Sequence, residues 1–184
     1  MRQPRLRQRE LVVIFMLSAI LVCSTVARIL PTTACEGAAP TLATLRRSAN
    51  VASAAEVVYH NCTVVDISSI SRNGITTIDA SNLNIQAVSS FPDVTTVLLS
   101  GNQITTIHDD PDATVKTVDL SLNGLTRLNA LAIPRTVTEL VLDGNSISGL
   151  DDGEIPATVT ALSLKNNSIM MLKHIFIRQN ITQA

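Results

Sequence analysis

The sequence predicts an α/β solenoid, a stack of short strand-plus-loop coils with a small parallel sheet on its concave face and a helical cap at the N-terminal end. Two observations carry this expectation. One apolar pattern recurs five times at a near-constant period after residue 75, and the stretch before it spaces its apolar residues as a helix does. The chain has 184 residues, 46% of them apolar, which is enough for one domain with a buried core.

Taken in order, residues 1–27 come first. Arg2, Arg5, Arg7 and Arg9 precede a stretch, Leu11 to Ala27, that carries no charge. A basic start, an apolar run and a small-residue end is the layout of a secretory signal, and Thr25-Val26-Ala27 offers small residues for a cut after Ala27. The alternative is a signal anchor, because the run is at the lower limit for a spanning helix and the arginines would hold the N-terminus inside. Both readings place residues 28–184 outside the cell, secreted or on the outer face of the plasma membrane. Without residues 1–27 the chain carries 10 basic and 14 acidic side chains, a mildly acidic surface.

Residues 28–74 form the expected cap region. Leu42, Leu45, Ala49, Ala52 and Ala55 or Glu56 follow helical spacing, with Thr41 as an N-cap after Pro40. Cys62 to Ile67 reads as a capping strand. Cys23 would leave with the signal, which leaves Cys35 and Cys62 as an even pair. If bridged they would stabilise the cap by about 2–4 kcal/mol; two buried free thiols are the alternative, and one pair is too few for a structural zinc site.

The repeats occupy 75–184. Segments starting at Ile75, Val94, Val115, Val137 and Val159 share the frame of apolar residues seen in Val137-Thr-Glu-Leu140-Val-Leu142-Asp-Gly-Asn145-Ser-Ile147, and each is followed by a further apolar residue: Val88, Ile107, Leu128, Leu150 and Leu172. Apolar residues two apart face one side of a strand. No coil can bury that face alone, but stacked coils make a continuous core. Ile133-Pro134 and Ile155-Pro156 interrupt any long helix between strands. Ile181 to Ala184 reads as the opening of a sixth repeat, which would leave an uncapped end open to self-association.

The pattern L-x-x-L-x-L-x-x-N-x-L at 19–22 residues resembles the leucine-rich repeat family over residues 75–184. The resemblance implies a structural ladder of Asn102, Asn123, Asn145 and Asn167, whose side chains bond to backbone groups where the chain turns inward. Leu83 replaces the asparagine in the first repeat, as terminal repeats often depart from the pattern. The resemblance to extracellular domains of plant and protist receptor-like kinases implies binding of a protein or peptide on the concave face. A free-standing secreted inhibitor or decoy, or a structural wall protein, is the alternative.

The chemistry of sites is sparse. His60, His108 and His174 are scattered, there is no nucleophile elbow or phosphate loop, and the charge balance argues against a nucleic-acid partner. The expectation is a binding module and not an enzyme, with no cofactor and no metal; the clusters Asp109-Asp110 with Asp112, and Asp151-Asp152 with Glu154, read as solvated turns. The membrane enters only through an uncleaved N-terminal segment or a further C-terminal part. The expected ligand-binding face comprises Thr77, Asp79, Thr96, Leu98, Thr117, Asp119, Glu139, Val141, Asp143, Ser163 and Lys165, with Leu98 and Val141 as apolar anchors. Three glycosylation sequons, at Asn61, Asn166 and Asn180, suit an exported chain. A glycan on Asn166 would obstruct the concave face.

Overall fold

The computed structural model describes residues 26–29, 42–61, 63–129, 131–151 and 155–172. It is a β-solenoid, and among the described residues there is no helix.

The strands are β1 (Val26–Ile29), β2 (Thr44–Arg47), β3 (Ala55–Val58), β4 (Thr63–Ile67), β5 (Ile70–Arg72), β6 (Ile75–Asp79), β7 (Ala87–Val88), β8 (Thr96–Leu98), β9 (Thr106–Ile107), β10 (Thr117–Asp119), β11 (Glu139–Val141), β12 (Gly149–Leu150), β13 (Ala161–Ser163) and β14 (Met171–Leu172). The main sheet runs β13-β11-β10-β8-β6-β5. Its strands β6, β8, β10, β11 and β13 are parallel and in register: Ile78, Val97, Val118, Leu140 and Leu162 form one column, all buried. These are the five strands that the repeat predicts. A second ladder lies across the core, where β7 pairs with β9, Ile107 bridges to Leu131, and β12 pairs with β14. Leu99, Leu120 and Leu142 come from the first wall; Val88, Ile107, Leu128 and Leu150 come from the second, and all are buried.

The asparagine ladder is present and carries the inward turn. Asn145 Oδ1 accepts from the Asn123 N–H at 2.9 Å and the Leu125 N–H at 3.0 Å. Its Nδ2 donates to Leu120 O at 3.0 Å in the coil before and to Leu142 O at 2.8 Å in its own coil. Asn102, Asn123 and Asn167 repeat the two amide donations, and their Oδ1 atoms accept from the Ile85, Ile104 and Ile147 N–H groups. Each side chain satisfies backbone groups of two coils; Asn102, Asn123 and Asn145 do so where water does not reach, and Asn167 is half-buried. Leu83 has no such side chain. Its N–H donates to Asn102 Oδ1 at 2.9 Å, and its carbonyl accepts from Tyr59 Oη at 2.8 Å. Burial raises the Tyr59 hydroxyl above the ordinary phenol value, so this bond keeps its proton through neutral and mildly alkaline pH.

The helix expected within the cap region, from Thr41 to Ala55 or Glu56, is overturned. The described part of that stretch is β2 and β3, which with β4 and β1 form an antiparallel meander. The reason is tertiary. β2 pairs in parallel with β7, and Ala43 O and Leu45 O accept from Gln86, Ala87 and Ser89 N–H groups. A helix spends those carbonyls on itself, whereas a strand leaves them for the first coil. The β-branched pairs Val57-Val58 and Val64-Val65 suit that environment better than the spacing of Leu42, Leu45, Ala49 and Ala52 suggests. Thr41 lies outside the described residues, as do Cys35, Cys62 and most of segment 1–27. The capping strand expected over Cys62–Ile67 is β4 in its described part, Thr63–Ile67.

Two polar clusters lock the meander. Glu56 is 2% exposed; its Oε2 accepts from Arg46 Nε at 3.1 Å and Nη2 at 2.8 Å, and its Oε1 accepts from Ser48 Oγ at 3.0 Å. Arg47 reaches the coils instead. It donates from Nε to Phe91 O at 2.7 Å and lies 3.6 Å from both Asp93 and Asp110, while Asp110 Oδ2 accepts from the Phe91 N–H at 2.7 Å. Asp110 is thus a fastener between coils and not part of a solvated acidic turn.

Replacing Asn145 strands four buried backbone groups at once. Asn145→Ala is expected to lower unfolding free energy by about 2–4 kcal/mol. Gln103→Ala, at an exposed position, should change it by less than about 0.5 kcal/mol. Urea titrations of the two variants against the parent chain check this.

Candidate interaction face

The outward side of the main sheet is built by alternation. With the Ile78 column buried, the residues on either side point away from the core. The register sets Thr77, Thr96, Thr117, Glu139 and Ala161 in one column and Asp79, Leu98, Asp119, Val141 and Ser163 in the other. Ser81, Ser100, Ser121, Asp143 and Lys165 follow where each strand ends. All the expected face residues therefore share one surface.

Its electrostatics are mildly acidic, since Asp79, Asp119, Glu139 and Asp143 face Lys165 alone within these columns. Several of these groups also brace the sheet. Asp79 and Asp119 accept from the Ser81 and Ser121 N–H groups at 3.0 and 2.8 Å. Asp143 Oδ1 accepts from Ser163 Oγ at 2.6 Å and the Lys165 N–H at 2.8 Å, and Thr117 Oγ1 donates to Glu139 Oε2 at 3.1 Å. Leu98 and Val141 are half-buried between neighbouring columns and present less apolar surface than the sequence suggests.

Apolar exposure lies elsewhere on the same side. Ile75 is 51% exposed although the repeat frame expects it inside. Asn73 and Gly74, at φ 51° and 78°, make a two-residue turn joining antiparallel β5 and β6. That turn extends β6 back to Ile75, and alternation then puts Ile75 on the face of Thr77. Ile70 stands opposite Thr77 on β5 and is also exposed.

Leu122 is the residue that sequence reasoning missed. One position of every coil, just before the ladder asparagine, turns through positive φ: Asn82 at 57°, Gly101 at 69°, Leu122 at 55°, Gly144 at 65° and Asn166 at 56°. Four of these are Asn or Gly, which tolerate that region; Leu does not. Leu122 is nonetheless 61% exposed. Its Cδ2 lies 2.5 Å from where a Cβ on Gly144 would sit, and Asn82 leans over Gly101 in the same way. Large and small side chains thus alternate along the column. Aligning the five repeats shows the signal: one leucine in a column of Asn and Gly.

The sequons fall apart spatially. Asn61 is exposed at the β3–β4 connection, where its Oδ1 accepts from the Thr63 N–H at 3.0 Å. Asn166 is exposed beside Lys165, at the rim of the face. Asn180 lies outside the described residues. Among the described residues no three His, Cys, Asp or Glu side chains are grouped to hold a metal ion, and no helix is long and apolar enough to cross a membrane.

Strain at Leu122 without compensating burial predicts that Leu122→Asn stabilises the fold by about 0.5–1 kcal/mol. Gly144→Asn should do the reverse, because the added Cβ meets Leu122. Thermal melts of the two variants report both signs. Comparisons of the chain with protein-family models, characterised proteins and solved structures find no match in any of the three.

Proposed function

We propose that this chain is an exported module of the leucine-rich repeat type that binds an extended protein segment across the outward face of its main sheet. The observation that carries the reading is the register. Five parallel strands hold two outward columns, in each of which successive residues stand about 4.8 Å apart. A surface of this kind is rigid before it binds, so the module itself loses little freedom on association. Threonine and serine hydroxyls supply hydrogen bonds along it, and the carboxylates favour a partner with basic side chains. Ile70, Ile75 and Leu122 flank the columns and offer apolar contacts at the edges. The receptor-type role follows from the resemblance to receptor ectodomains together with the signal-like N-terminus.

A displayed library of random peptides, panned on the intact protein, tests this. Selected peptides should be rich in Lys or Arg with aliphatic neighbours. Their binding should fall by about tenfold or more when Thr96→Arg and Val141→Arg are combined on the face. Thr105→Arg, at an exposed position off the main sheet, should leave binding within about twofold. Equal loss from both, or none from either, would sink the proposal.

A further inference from the structure

The expected cut after Ala27 falls in the middle of a strand. β1 runs antiparallel to β4, with Val26 opposite Asp66, Ala27 opposite Val65, Arg28 opposite Val64 and Ile29 opposite Thr63. It is the outermost strand of the sheet β1-β4-β3-β2-β7-β9, which ties the meander to the coils. A cut after Ala27 would remove the β1 neighbours of Asp66 and Val65, which would keep only Glu56 and Val57 on β3. It would leave a two-residue remnant opening on the charged amino group of Arg28. The outer edge of β4 would then be bare over the half that leads to the fully buried Ile67, and an uncovered strand edge is a template for unwanted pairing.

A second junction meets the rule at the residue directly before the cut. The apolar run Leu11–Val22 has 12 residues, within the usual length of a signal core. It is followed by Cys23 and Ser24. A cut after Ser24 places a small, unbranched side chain directly before the scissile bond, with Val22 two residues upstream. Thr25 is less suited to that position because it branches at Cβ. Ser24 is therefore the last small, unbranched residue that leaves β1 whole.

We propose that the export signal is cut between Ser24 and Thr25, so that Val26–Ile29 stays with the mature chain as the strand that closes the N-terminal sheet. This inference rests on the export reading, and one experiment separates the two. The full chain is expressed in a secreting eukaryotic host, and the N-terminal residue of the protein in the medium is sequenced. Thr25 is the expected result. Arg28, or any other new terminus, overturns the junction and leaves export standing. A chain retained by the cells with Met1 in place overturns both. Two variants probe the junction independently: Ser24→Leu should reduce the Thr25 product by about tenfold, and Ala27→Leu should leave it within about twofold. The opposite pattern assigns the cut to Ala27 and overturns the proposal.

Discussion

The coil stack depends on one repeated constraint. After each strand of the main sheet the chain turns inward, and the backbone groups at that turn lie where water does not reach. Asn102, Asn123, Asn145 and Asn167 meet the constraint with one side chain per coil, each acting on its own turn and on the turn before. The bonds run in one direction along the stack, so each coil is stabilised mainly by its neighbours. The first coil shows what the arrangement requires. Leu83 supplies no bond of its own, and its turn is held by Asn102 from one side and Tyr59 from the other.

The N-terminal cap follows from the same logic. A solenoid end exposes apolar surface and also a row of unpaired backbone groups. A helix covers the first but bonds its own carbonyls internally. The meander answers both demands: Leu45, Val57 and Ile67 extend the core, and β2 gives its carbonyls to the N–H groups of the second ladder. Arg47 then spans from the cap to Phe91, Asp93 and Asp110, which ties cap and coils into one unit.

Legibility in the sequence divides along the line between repeated and unrepeated features. The strands at residues 75–79, 96–98, 117–119, 139–141 and 161–163, their shared register and the four ladder asparagines were readable, because five copies of one pattern constrain one another. Both outward columns followed from alternation alone. The cap was not readable as strands, because Leu42, Leu45, Ala49 and Ala52 match helical spacing and the carbonyl demand of β7 is a tertiary fact. Ile75 was misplaced for a similar reason, since its exposure comes from the Asn73-Gly74 turn before it. Leu98 and Val141 were correctly placed, but their neighbours cover them more than a single strand reveals.

Leu122 joins the fold to the proposed function. The turn it occupies favours Asn or Gly by about 1 kcal/mol or more over a branched side chain, and three-fifths of its surface faces solvent. Local propensity and burial both argue against leucine here, and packing against Gly144 recovers little. Rules of this kind are broken most often where a surface has another task. Its position beside Ser121, at the end of the Asp119 strand, sets an apolar side chain on a rigid turn next to the polar columns. The coil fixes the backbone of this turn, so the position of the anchor, though not its rotamer, is set before binding. The same turn that destabilises the coil would therefore hold the leucine in place for a partner.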